Sequence, residues 1–98
     1  MINKMGKGNM NDQEKINIEF IKMSKNREKV LKSLKGETLN PTEISKKTGA
    51  HRNNVSTTLS QLKEKDLVRI LNPETKRGRL YELTKDGERV LDLMENKE

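Results

Sequence analysis

The sequence predicts a small α+β domain, mainly helical, with a three-helix core, a two-stranded hairpin and a closing C-terminal helix. Three observations predict it. Asn40-Pro41-Thr42-Glu43 is a compact helix start, and Gly49 stops that helix about two turns later. Val55, Leu59 and Leu62 then recur at i, i+4 and i+7, the apolar stripe of an amphipathic helix. Two short strand-like runs, 67–71 and 80–83, flank a loop punctuated by Pro73 and Gly78, as the strands of a hairpin do.

Each element has a local justification. Residues 1–15, with Gly6, Gly8 and no apolar periodicity, read as a disordered tail ahead of a domain over 16–98. In the next stretch Ile16, Ile18 and Phe20 alternate like a strand, while Ile16, Phe20 and Met23 fit a helix. Periodicity leaves both readings open. Ser24 is placed to cap a helix whose apolar residues Val30, Leu31 and Leu34 share a face, with Gly36 as its stop. A short link, 37–39, leads to the helix of Asn40 and Pro41. Asn40 serves as N-cap, Pro41 takes the first helical position, and Glu43 completes a capping box. Only Gly49 and Ala50 separate that helix from His51 and the next one. The latter ends at Asp66, where Gly would be commoner. Leu80 and Tyr81 open the second strand of the hairpin. Thr84 caps the last helix, on which Gly87, Val90, Leu91 and Met94 fall at i, i+3, i+4 and i+7.

Composition narrows the function classes. The chain has 98 residues, enough for one domain, with 21 Lys and Arg against 15 Asp and Glu for a net charge of +6. Absence of Cys excludes disulfides, zinc ribbons and thiol nucleophiles, and a single His cannot build a multi-histidine metal site. At 30% hydrophobic there is little to line a water-excluding pocket. Acid pairs such as Asp86/Glu88 and Asp92/Glu95 lack basic or His partners for catalysis. The sequence thus predicts no enzyme, no metal and no cofactor. No apolar run exceeds two residues, so neither a membrane span nor a secretory signal is expected, and a cytoplasmic location is the expectation. The basic surplus points to an anionic partner, nucleic acid before membrane.

A two-turn helix joined through a Gly turn to a longer amphipathic helix is the helix-turn-helix unit, and a hairpin directly after it is the wing. PTEISKKTGA followed by VSTTLSQLKEKDLV, then NPETKRGRLYELT, then LTKDGERVL, resembles winged helix-turn-helix transcriptional regulators of the MarR/ArsR-like kind, most of all small archaeal ones. The resemblance runs over about residues 24–94 and implies the winged-helix fold and DNA-binding regulation of transcription. It departs from the pattern at Asp66, usually Gly, and at His51, usually a Ser or Thr cap.

The residues themselves carry a matching chemistry. On the helix after His51, the side opposite Val55, Leu59 and Leu62 carries Asn53, Thr57, Ser60 and Gln61, flanked by Arg52, Ser56 and Asn54. A solvated helix face is commonly rich in Glu and Lys, whereas Ser, Thr and Asn are poor helix formers. Short donors and acceptors suit a helix lying deep in a major groove about 12 Å wide. These seven residues are the predicted base readers. Residues 44–63 contain no Asp or Glu, and 69–79 carry a net +3, while 85–98 carry −2. Thr42, Lys46, Lys47, His51, Lys63 and Arg69 are therefore predicted phosphate contacts, and Lys76, Arg77 and Arg79 place the wing. The apolar residues at both ends, Ile18, Phe20 and Ile21 with Val90, Leu91 and Met94, are predicted to form a homodimer interface; closing the monomer core is the alternative. The expectation is a sequence-specific regulator that binds double-stranded DNA as a dimer on a pseudo-palindromic operator and blocks transcription. The other reading is a winged-helix module that binds protein, or nucleic acid without sequence preference, within the transcription or replication apparatus. Any effector is left unidentified.

Overall fold

The computed structural model describes residues 11–95. Five helices and one antiparallel hairpin follow in the order α1 Asp12–Lys22, α2 Lys25–Ser33, α3 Pro41–Thr48, α4 Arg52–Glu64, β1 Val68–Ile70, β2 Tyr81–Leu83 and α5 Lys85–Glu95. This is the winged helix-turn-helix architecture, with helices α1 and α5 packed together on the core.

The ambiguous segment 16–23 is helical. Asn11 caps α1 through a full capping box with Glu14, so residues 11–15, expected in the tail, belong to the folded domain. The rest of the expected tail, 1–10, lies outside the described residues. The inward face of α1 is Asn17, Ile18 and Ile21, not the Ile16, Phe20, Met23 stripe. Ile16 is 53% exposed and Met23 77%.

The other local signals act where the sequence places them. Ser24 accepts from the Arg27 N–H at the start of α2. Asn40 and Glu43 form a reciprocal capping box on α3, with Pro41 in the first turn. Gly49 ends α3 at φ +79°, a left-handed conformation that costs glycine little. Asp66 leaves α4 at φ +63°, the one non-glycine residue with positive φ among those described. At α5 the Thr84 hydroxyl accepts from the Gly87 N–H and donates to the Asp66 carbonyl, so one side chain ties the helix start to the α4–β1 turn.

The hairpin pairs Val68 with Leu83, Arg69 with Glu82 and Ile70 with Tyr81. The link before α3 adds a one-residue antiparallel bridge to β2. Leu39 and Tyr81 exchange backbone hydrogen bonds of 3.1 and 2.8 Å, anchoring the wing to the α2–α3 connection.

The core is aliphatic: Ile21, Val30, Leu31, Leu34, Ile44, Val55, Leu59, Leu62, Leu67, Val68, Val90 and Leu91 are buried almost completely. Gly87 lets α5 approach this core. A Cβ built on it would stand 2.0 Å from the Leu67 carbonyl oxygen. Two ion pairs fasten α5 to the rest, Arg89–Glu14 at 3.2 Å and Lys35–Glu95 at 2.6 Å.

This packing corrects the predicted dimer interface. Ile18, Ile21, Val90 and Leu91 close the monomer core; a side chain such as Ile21, at 0% exposure, has no area to give a partner. Phe20 and Met94 are partly buried against the same core. For these four buried residues the alternative reading holds, and α1 and α5 pack on each other. No helix among the described residues is long and apolar enough to cross a membrane.

Candidate nucleic-acid interface

The unit that positions the site is α3, the Gly49-Ala50 turn and α4. Ser45 donates its hydroxyl to the Ala50 carbonyl at 2.6 Å, and the Ala50 N–H donates to the Thr48 hydroxyl, so the two-residue turn is fixed from both sides. α4 buries Val55, Thr58, Leu59 and Leu62. Its orientation follows from that stripe: Arg52, Asn53, Asn54, Ser56, Thr57 and Ser60 are all exposed. Asn53, Thr57 and Ser60 form the outermost line of this face, closed at its far end by exposed Glu64.

Gln61, also predicted as a reader, sits differently. It is half-buried, and its side-chain oxygen accepts from Arg27 Nε at 3.1 Å. Nothing in the sequence marked Arg27, because its partners lie on α1 and α4.

The cations divide into two groups. Lys46, His51, Lys63, Lys76 and Arg77 are exposed around α4 and at the wing tip. Lys47, Arg69 and Arg79 are each engaged by another group of the chain. Lys47 Nζ reaches the Glu37 carboxylate at 2.6 Å and the Ser33 carbonyl at 2.9 Å, the latter at the C-terminal end of α2. Arg69 pairs with Glu82 across the hairpin. Arg79 Nε donates to the Thr75 carbonyl at 2.7 Å, within the wing loop. That loop is organised by Asn72, whose side chain accepts from the Leu80 N–H and donates to the Gly78 carbonyl. The exposed ion pairs are weak enough for a phosphate to compete with them.

The helix N-termini differ from the expectation. Thr42 is exposed, but its helix start is occupied by the Asn40–Glu43 box, which brings a carboxylate to α3. His51 makes no side-chain cap on α4. The first-turn N–H groups of α4 thus open onto a shallow depression of about 370 Å³ lined by Ser45, Gly49, Ala50, His51, Arg52 and Asn53. Exposed N–H groups beside a cation favour an anion there. Tyr81 is half-buried and packs against the core. Among the described residues no group of three or more His, Asp or Glu is arranged to hold a metal ion.

Comparison with known proteins agrees with this architecture. The family model of the HVO_A0261 N-terminal domain matches residues 15–98. Among solved structures, TubR bound to 24 bp of tubC, from Bacillus thuringiensis serovar israelensis pBtoxis, is similar with a TM-score of 0.75 at 17% identity, over 92% of this chain and 98% of that one. The reduced form of MarR from E. coli is similar with a TM-score of 0.65 at 24% identity, over 87% of this chain and 69% of that one. A mutant of E. coli MarR complexed with operator DNA gives 0.64 at 26% identity, and the match spans 59% of its chain. No curated protein matches the chain.

Proposed function

The chain belongs to the HVO_A0261 N-terminal domain family, and from that premise we propose that it is a sequence-specific, double-stranded-DNA-binding transcriptional regulator. One observation carries the proposal: the exposed face of α4 is a line of short hydrogen-bonding side chains in an acid-free stretch, beside a cationic wing. In this reading Asn53, Thr57 and Ser60 meet base edges, with Arg52, Asn54 and Ser56 on the flanks. Asn pairs with adenine N6 and N7, Arg with guanine O6 and N7, and a Thr methyl with that of thymine. Lys46, Lys63 and the open start of α4 at His51 hold the backbone, and Lys76 and Arg77 carry the wing along it or into the minor groove. Thr42 adds a phosphate contact, and Lys47, Arg69 and Arg79 serve first to hold the fold that presents the others. TubR bound to tubC and MarR complexed with operator DNA support a DNA role for this fold.

A homodimer remains part of the proposal, on the part of the predicted surface that the monomer core leaves uncovered. Exposed Ile16 and Met23, with partly buried Phe20 and Met94, offer apolar area on α1 and α5. A two-fold pair places two α4 helices on half-sites one helical turn apart. Occupancy of such an operator excludes the polymerase, which makes repression the simplest outcome.

Selection of bound duplexes from a random pool tests specificity and symmetry together. The expected result is an enriched motif with two inverted half-sites about 10 bp apart, centre to centre. A pool that enriches no motif defeats base reading, and a single unpaired half-site defeats the dimer.

A further inference from the structure

Arg27 lies outside the face just described, yet it touches that face through one residue. Its guanidinium makes three contacts at once. Nε donates to Gln61 Oε1 at 3.1 Å, Nη1 donates to the Phe20 carbonyl at 2.9 Å, and Cζ stands 3.9 Å over the Phe20 ring. Its own backbone N–H is held by Ser24. Lys65 Nζ approaches the same ring at 5.1 Å. The guanidinium is therefore held from α1 and the start of α2 while it grips α4.

The chemistry of that grip is one-sided. Arginine has five N–H donors and no acceptor. A glutamine amide facing it must turn its oxygen inward. Gln61 is only half-buried, so its NH2 group is what remains for an outside partner. An unrestrained glutamine presents donor and acceptor side by side and suits adenine; one restrained in this way presents donors alone.

We propose that Arg27 is a positioning residue for base reading: by holding the Gln61 oxygen, it makes Gln61 a donor-only probe for acceptor-rich major-groove edges. Guanine, with O6 and N7, is the best match, and thymine O4 the second. Gln61 lies about 12 Å along the helix from Asn53, at the end of α4 away from His51. It therefore reads the position of each half-site farthest from the one met by Asn53. The inference rests on α4 being the base-reading helix.

The test is selection of bound duplexes with the full chain and three variants, with thermal unfolding followed in parallel. Gln61→Glu keeps an oxygen toward Arg27 but turns an acceptor outward, which suits the cytosine N4 donor. Its expected result is a switch at one position per half-site from guanine or thymine to cytosine, with a melting temperature at or above that of the parent. Arg27→Met frees the amide: adenine is then admitted at that position, and a preference of about ten- to a hundredfold falls to about threefold or less, while other positions keep theirs. Arg27→Gln, whose amide offers an acceptor as well as donors and so no longer fixes which end of Gln61 turns inward, shows the same broadening if folding of the Met variant is compromised. An unchanged preference in Gln61→Glu overturns the inference and leaves Arg27 a packing residue. Uniform weakening at every position in both Arg27 variants overturns it also. A parent chain without any sequence preference overturns the inference together with the proposed function, whereas a specific parent indifferent to Gln61 overturns the inference alone.

Discussion

Replacing Gly87 by Ala probes the closest approach in the fold. The added Cβ would sit 2.0 Å from the Leu67 carbonyl oxygen, 3.0 Å from its carbon and 3.4 Å from its Cα. Ordinary contact begins near 3.4 Å, so α5 or the backbone at Leu67 must give way by more than an ångström. Neither moves freely. The Leu67 oxygen accepts from the Thr84 N–H at 3.1 Å, and Thr84 holds the Gly87 N–H and the Asp66 carbonyl. Overpacking of this kind costs about 1–3 kcal/mol, and an unyielding backbone neighbour places it at the top of that range. Ala recovers about 1 kcal/mol of helix propensity. The net loss is about 2 kcal/mol, or a fall in melting temperature of roughly 8–16 °C for a domain of this size. Thermal unfolding followed by circular dichroism reads it directly. A variant as stable as the parent, or more so, would refute the seating of α5 on Leu67. Gly87→Ser should fall in the same range, since the clash begins at Cβ.

Asp66→Gly should act in the opposite direction. The left-handed φ of +63° strains an L side chain that glycine lacks, so a gain of about 0.5–1 kcal/mol in urea unfolding is expected; a loss would mean that the Asp side chain contributes more than its strain costs. Among the interface residues, Asn53→Ala or Thr57→Ala should relax preference at one or two base positions by about 1–3 kcal/mol. Arg77→Ala should instead weaken all sequences alike and lower the salt slope by about one. Uniform weakening by Asn53→Ala would mean that α4 is turned the wrong way. The hydrogen bond and charge of Glu95, with a smaller contribution from Asp92, raise the Lys35 pKa above its ordinary value. A raised folded-state pKa stabilises below the unfolded value and is lost as pH rises through the folded one. A small alkaline loss of stability that Glu95→Gln abolishes is the expected result, and a loss of equal size in that variant would exclude the pair as its source.

What was legible in the sequence was mostly local. The Asn40–Glu43 box, the Gly49 stop, the Thr84 cap and the strained Asp66 each depend on residues within a few positions, and each stands where the pattern put it. The outward face of α4 followed from a single apolar stripe. Long-range pairing was not legible. α1 turns Asn17 inward between Ile18 and Gln13, whose amide donates to it at 3.2 Å, so its buried face is not its most hydrophobic one. Ile18 and Ile21 meet a core shared with Val90 and Leu91, and that closure consumed the surface assigned to a dimer. Lys47, Arg69 and Arg79 looked like free cations because Glu37, Glu82 and the Thr75 carbonyl are remote in sequence or hidden in the backbone. Arg27 escaped notice for the same reason, and so did the Leu39 rung on Tyr81.

The central claim is that the polar face of α4 reads bases rather than merely meeting solvent or phosphate. The most direct measurement is the affinity of the full chain for its selected duplex against a random duplex of equal length, at two salt concentrations. Both affinities should fall steeply with salt while the selected duplex keeps a preference of about 10³ or more. Equal affinity for the two duplexes at both salt concentrations would contradict it.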